Sequence, residues 1–195
     1  QLVFTIPERC RTCYTCVREC PAKAIKIELG QAEVIYARCI ACGNCIRVCR
    51  RDAKWFVDAR QELSNLIAKG EQVVAMIAPS FPGEFMDYDN HKQIVGMVKA
   101  IGFDKVHEVA FGADLVANEY KKLLDSTSDK KYISSDCPSI VSFIRKYHPD
   151  LVPHLAPICS PMVAMARVLK KIYDNPKLVF IGPCIAKKGE SDEID

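Results

Sequence analysis

Cys10-Arg11-Thr12-Cys13-Tyr14-Thr15-Cys16-Val17-Arg18-Glu19-Cys20-Pro21 spaces four cysteines as C-x2-C-x2-C-x3-C, and Cys39-Ile40-Ala41-Cys42-Gly43-Asn44-Cys45-Ile46-Arg47-Val48-Cys49 repeats the spacing. This is an internal duplication. Three thiolates two residues apart wrap a short loop around one Fe4S4 cube, and the same loop cannot easily bring the fourth thiolate onto that cube, so the fourth crosses to the other. Cys10, Cys13, Cys16 and Cys49 are therefore assigned to one [4Fe–4S] cluster, and Cys39, Cys42, Cys45 and Cys20 to a second. Paired C-x2-C units also suit structural zinc, but two interleaved four-cysteine runs are far more specific for clusters. Gly43 is expected to let backbone N–H groups approach sulfur. Ala22 to Ile25 permits a short helical turn, and Ile25 to Glu28 alternates like a strand before Gly30.

The rest of the composition is that of a globular protein: 195 residues, 49% hydrophobic and 26% charged, enough for one sizeable core and a small extra module. Eleven cysteines in a chain able to bury such a core read as metal ligands in a reducing, cytoplasmic setting rather than as a disulfide framework. No apolar run approaches the roughly 20 residues needed to span a bilayer. Gln1 to Ile6 lacks the features of a secretory signal, and Gln1 in place of an initiator Met is expected of a trimmed or processed chain. The formal charge of +3 falls to about −1 once thiolates and oxidised clusters are counted. Basic residues are interspersed with acidic ones, so nucleic-acid binding is not expected.

From Asp58 onward the cysteines thin out and helical and strand patterns alternate. Helices are expected at Ala59 to Lys69, Lys92 to Ile101, Ala113 to Leu124, Ser139 to Tyr147 and Met162 to Tyr173. Strands are expected at Val73 to Ala78, Lys105 to Val109, Lys177 to Ile181 and, more weakly, Tyr132 to Ser134. The fold class is thus an α+β ferredoxin-like two-cluster domain over 1–57, followed over 58–195 by an α/β domain with a mainly parallel sheet flanked by helices. Pro79-Ser80, Asp136-Cys137-Pro138 and Pro183-Cys184 each follow an expected strand, where ligands sit in open α/β sheets. Cys137 and Cys184 are expected to meet there, with Lys187 one turn beyond. Cys159 reads as a small residue beside the pocket, and Trp55-Phe56 as ordinary packing. Histidines 91, 107, 148 and 154 share no metal-ligand spacing.

Taken together, the chain resembles the [FeFe]-hydrogenase family over essentially its whole length. Lys99 to Val106, continuing to Phe111 to Leu115, looks like that family's first catalytic lobe. Ser134-Ser135-Asp136-Cys137-Pro138 resembles its first H-cluster signature, T-S-C-C-P, and Gly182-Pro183-Cys184-Ile185-Ala186-Lys187-Lys188-Gly189-Glu190 resembles its second, M-P-C-x-x-K-x-x-E. The resemblance implies that Cys137 and Cys184 ligate the cubane half of an H-cluster, a third [4Fe–4S] joined to a diiron centre. It further implies that Lys187 donates to the bridging dithiolate or a cyanide, that Ser80 bonds a cyanide, and that Pro183 and Glu190 shape and support the pocket. Electrons would pass between a ferredoxin-type partner and the cubane through the two clusters, with protons and H2 as substrates.

Three departures are expected to matter. Asp136 stands where the family usually has a proton-delivering cysteine. Gly182 stands at the Met of the second signature, and Met162 where a polar residue is usual. The third signature, E-x3-C-x2-G-C, has no counterpart before Asp195, so this stretch alone is not expected to make H2; a C-terminal lobe or another chain would complete the site. The departures also resemble sensory members of the family, in which a downstream signalling domain reports H2, and a plain iron–sulfur electron carrier is the remaining alternative.

Overall fold

The computed structural model describes residues 2–84, 90–126 and 130–191. The first elements are β1 (Val3–Thr5), α1 (Thr15–Arg18), β2 (Ile25–Glu28), β3 (Gln31–Val34), α2 (Asn44–Arg47) and β4 (Lys54–Phe56). After them come α3 (Arg60–Ala68), β5 (Val73–Ile77), α4 (His91–Ile101), β6 (Lys105–Glu108), α5 (Val109–Ser126), α6 (Pro138–Tyr147), α7 (Pro161–Ile172) and β7 (Lys177–Ile181). They form two compact units. Among the described residues, one joins 2–58 with 132–156 and 184–191, and the other comprises those of 59–131 and 157–183.

In the first unit two antiparallel pairs frame the cysteines. β1 pairs with β4 (Phe4 opposite Trp55), and β2 with β3 (Ile25 opposite Val34). The β2–β3 turn is Leu29-Gly30, with φ of 46° and 75°, the two left-handed positions that a tight hairpin matched to strand twist requires. The expected helical turn at Ala22 to Ile25 does not form: Lys23 has φ of 46°, and the chain enters β2 directly. The core here is made of small residues, Ala22, Ala24 and Ala32 with Ile25 and Ile40, against which Phe143 and Tyr147 of α6 pack.

The second unit is a three-stranded parallel sheet in the order β6-β5-β7. All five residues of central β5 are buried, as a parallel strand covered on both faces demands. Side-chain alternation assigns its faces: Val74 and Met76 meet Val109, Met162, Val163, Met165, Ala166 and Leu169 from α5 and α7. Val73, Ala75 and Ile77 meet Val98 and Phe103, with Leu63, Leu66 and Ile67 of α3 against them. The mixed α/β class with a parallel sheet is thereby established.

Two expectations require correction. Tyr132 to Ser134 is no strand of this sheet; Ile133 makes one isolated bridge to Leu155, within the first unit. The helix expected from Ala113 begins at Val109, directly after β6. Gly112, a poor helix former, is kept inside it because a Cβ there would lie 2.2 Å from the carbonyl oxygen of Pro161, where α5 crosses the start of α7.

Candidate functional site

The cysteine duplication is also a duplication of geometry. In the first run Thr12 and Tyr14 have left-handed φ of 52° and 61°; at the same places in the second, Ala41 and Gly43 have 53° and 76°. Each left-handed residue turns the loop back toward its own cysteines, and α1 and α2 then carry Cys16 and Cys45. Three residues beyond the last cysteine of each run the backbone is left-handed again, at Lys23 and Asp52. Four residues beyond it an amide donates back to that cysteine: Ala24 N–H to Cys20 Sγ at 3.2 Å and Ala53 N–H to Cys49 Sγ at 3.3 Å. Ala41 N–H likewise reaches Cys39 Sγ at 3.4 Å.

These loops enclose two cavities. Cys10, Cys13, Cys16 and Cys49 together line one of about 350 Å³, and Cys20, Cys39, Cys42 and Cys45 together line a smaller, mostly apolar one. Among the described residues no three Cys, His, Asp or Glu side chains converge tightly enough to grip a single ion. Four sulfurs spread around a cavity, with N–H donors aimed at them, suit a cube better than a tetrahedral zinc ion. None of the eleven cysteines is paired in a disulfide. The Thr15 hydroxyl holds exposed Cys13 below the usual thiol range, whereas burial pushes Cys16 up and Cys45 up to about 11. Ligation requires thiolate, so loading must expel a proton from Cys45.

The same unit contains both segments of the second candidate site. Cys137 is the exposed N-cap of α6, with Pro138 at the first helical position, where its missing N–H costs nothing. The loop before it is pinned by its own serines: Ser134 Oγ donates to Asp136 Oδ2 at 2.9 Å and Ser135 Oγ to Ala156 O at 2.9 Å. Asp136 Oδ1 is buried with no protein partner among the described residues. Lys187, three residues past Cys184, donates to Asp136 O at 3.3 Å and to Glu190 Oε2 at 3.1 Å, so one ammonium ties the Cys184 segment to the residue beside Cys137. This ion pair is largely buried, with Lys187 and Glu190 side chains 17% and 8% exposed. Ser80, Pro183 and Cys159 belong to the other unit, where Ser80 and Pro183 follow the neighbouring strands β5 and β7. Gly182 has a steric explanation: a Cβ there would lie 2.6 Å from the Phe180 ring and 2.8 Å from Ala78 Cβ, so no methionine fits.

The other end of α6 grips the second cysteine loop. Lys146 Nζ donates to Cys39 O at 2.6 Å, and the Tyr147 hydroxyl lies 2.6 Å from Ala22 O and 3.0 Å from Arg38 O. At Gly43 a Cβ would come within 3.0 Å of Ile185, the neighbour of Cys184. The loop of Cys39, Cys42 and Cys45 thus meets Ile185, the residue after Cys184, and the far end of the helix that Cys137 caps. Sequence reasoning missed these clamps, and it missed Lys54, which opens β4 with its side chain turned inward; the one available signal was that Lys54 occupies the place Ile25 holds in the first run.

No helix among the described residues is long and apolar enough to cross a membrane. The chain is 28% identical over 146 residues to iron hydrogenase 1 of Clostridium pasteurianum, covering 65% of this chain and 25% of that protein. It is 24% identical over 187 residues to the cytosolic Fe-S cluster assembly factor NAR1 of Yarrowia lipolytica, covering 84% and 38%. In fold it is similar to a solved variant of apo [FeFe]-hydrogenase HydA1 from Chlamydomonas reinhardtii, with a TM-score of 0.56, 22% identity, and 70% of this chain and 40% of that one covered. The chain spans less than half the length of each of these proteins. The 4Fe-4S dicluster domain family matches residues 2–50, and because the family of the C-terminal domain of the iron only hydrogenase large subunit matches residues 71–195, the chain belongs to that hydrogenase-like iron–sulfur family.

Proposed function

We propose that this chain is the electron-input module and first lobe of an [FeFe]-hydrogenase-type protein, with 1–57 a ferredoxin-like domain for two [4Fe–4S] clusters and 58–195 the first part of an H-cluster domain. The observation that carries this reading is the content of one compact unit: two four-cysteine cavities and the segments bearing Cys137 and Cys184. When bound, such clusters exchange single electrons, and an H-cluster interconverts H2 with protons and electrons.

The residues divide the work as follows. Cys10, Cys13, Cys16 and Cys49 hold one cluster, and Cys20, Cys39, Cys42 and Cys45 the other, while the amides of Ala24, Ala41 and Ala53 donate to thiolate sulfur. The approach of Ile185, the residue after Cys184, to Gly43 supports the second set as the proximal one. Cys137 and Cys184 offer two thiolates to the cubane half of the H-cluster. Lys187, positioned by Glu190, would offer its ammonium to the diiron half, and Asp136 would take the place of the family's proton-delivering residue. Ser80 and Pro183, which follow β5 and β7 in the other unit, are the residues to which the resemblance gives the cyanide-bonding and pocket-shaping roles. The electron partner is a ferredoxin-type protein, and the setting is cytosolic, as the name of the Yarrowia relative states for that protein.

The test is H2 evolution by the full-length, matured protein under anaerobic conditions with a reduced viologen. The reading expects turnover that rises in Asp136→Cys. An unchanged rate in that variant overturns Asp136 as the altered proton donor, and a loaded protein with no H2 chemistry overturns the catalytic reading. Asp136 and Gly182 support a second reading, a relative that senses H2, or handles iron–sulfur clusters as the NAR1 protein's name describes, without fast turnover. A third cluster with no H2 evolution, and H2 altering only the spectrum of that cluster, is the outcome it expects.

A further inference from the structure

Lys54 is the one buried lysine or arginine among the described residues, 1% exposed at the start of β4. It lies five residues beyond Cys49, and five residues beyond Cys20 the first run has Ile25, also buried. One half of the duplication therefore buries a hydrocarbon where the other buries a charge. Lys54 Nζ donates to Thr5 Oγ1 and, at 3.0 Å, to Ala32 O; the Thr5 hydroxyl itself donates to Ala32 O. These are neutral acceptors. Lys54, Thr5 and Ala32 all border the cavity ringed by Cys10, Cys13, Cys16 and Cys49, and no carboxylate does; its other charged neighbours are Arg11, Arg50 and Arg51.

Burying an ammonium with only neutral partners is costly, and such a group persists where negative charge compensates it. A cluster in the adjoining four-cysteine cavity would supply that charge. A cube held by four thiolates is negative when oxidised and gains one further negative charge on reduction, so a fixed neighbouring cation favours the reduced form. Lys54 borders the cavity of Cys10, Cys13, Cys16 and Cys49 and not that of the other four cysteines, so its field acts more weakly on the second set.

We propose that Lys54 is the built-in counter-charge of the two-cluster module, raising the reduction potential of the Cys10/Cys13/Cys16/Cys49 cluster most and that of the other less. The placement makes the distal cluster the better electron acceptor of the pair. The inference rests on the reading that both cysteine sets hold clusters.

The test is an anaerobic redox titration followed by EPR on the iron-loaded chain, with iron and sulfide measured on the same samples. Lys54→Met should keep both clusters and lower one midpoint so that, at the wild-type midpoint, the reduced-to-oxidised ratio falls about tenfold, about 59 mV for one electron. The second midpoint should fall less, and Lys54→Arg should restore both. Unmoved midpoints in a loaded Lys54→Met protein, or an equal fall in Lys54→Arg, overturn the proposal. Should Lys54→Met not load, Lys54→Ile places there the residue the first run already uses; failure of both neutral variants with loading of Lys54→Arg supports a required charge, and failure of Lys54→Arg as well overturns it. A wild-type chain that takes up no cluster sinks the cluster reading along with this one.

Discussion

The two units of this molecule reach order by different physical means. The unit of 59–131 and 157–183 has a hydrocarbon core: every residue of β5 is at most 3% exposed, sandwiched between helices on both faces. The unit built on 1–58 buries mainly alanines, with Ile25, Ile40 and Cys20 among them, has strands of three or four residues, and places left-handed backbone at Thr12, Tyr14, Lys23, Ala41 and Asp52. Apolar transfer sustains the first kind of core. The second buries less hydrocarbon against so much ordered loop, and on the proposed reading bonds between cysteine and iron supply the rest of its stability.

Iron should therefore matter to one unit only. Cys45→Ala should lose the iron of at least one cluster, about half of about eight, and loosen the first unit. Hydrogen exchange would register this as faster exchange across 2–58, with β5 amides unchanged; faster exchange in β5 would break the comparison. Leu169→Ala, at 0% exposed, should cost about 2–5 kcal/mol by urea unfolding with iron content unaltered. Iron loss in that variant would mean the units are not independently stabilised. Asp104 accepts from Val73 N–H at 2.7 Å and its own N–H donates to Val73 O at 2.9 Å, tying the loop before β6 to β5. Asp104→Ala removes the first bond and should cost about 1–2 kcal/mol in the same assay.

The smallest effect concerns pH. Burial, helped by Lys105, holds His107 below its usual pKa, and its ring nitrogen lies 2.9 Å from the Tyr173 hydroxyl. Between that depressed value and the free value of about 6.5, the unfolded chain binds a proton that the folded chain does not. Stability of this unit should be full above about pH 6.5 and decline as pH falls through that window, and His107→Gln should flatten the dependence. Urea midpoints at pH 5.5 and 8 would show it; an identical decline in the variant would assign the effect elsewhere.

What was legible in the sequence follows the same division. Val73 to Ala78 was readable because a strand covered on both faces is a near-continuous apolar run. The cysteine spacing was readable because the geometry of a cube dictates it. The β1–β4 pair was not, since three-residue strands carry no periodicity and Lys54 sits at a buried position of one of them. Tyr132 to Ser134 has strand-like residues but no neighbour in the sheet, and Val109 reads as the end of the preceding strand although α5 begins there, with Gly112 inside it where Pro161 approaches closely. The joining of 132–156 and 184–191 to the cysteine unit depends on contacts such as Lys187 with Asp136 and Tyr147 with Ala22, which no local pattern encodes.

The most direct test of the account is the iron and acid-labile sulfide content of the anaerobically loaded chain, with EPR of its reduced form. The account predicts at least about eight irons with matching sulfide and two magnetically interacting S = 1/2 cubane signals. About four irons with a single non-interacting signal, or zinc in place of iron, would contradict it.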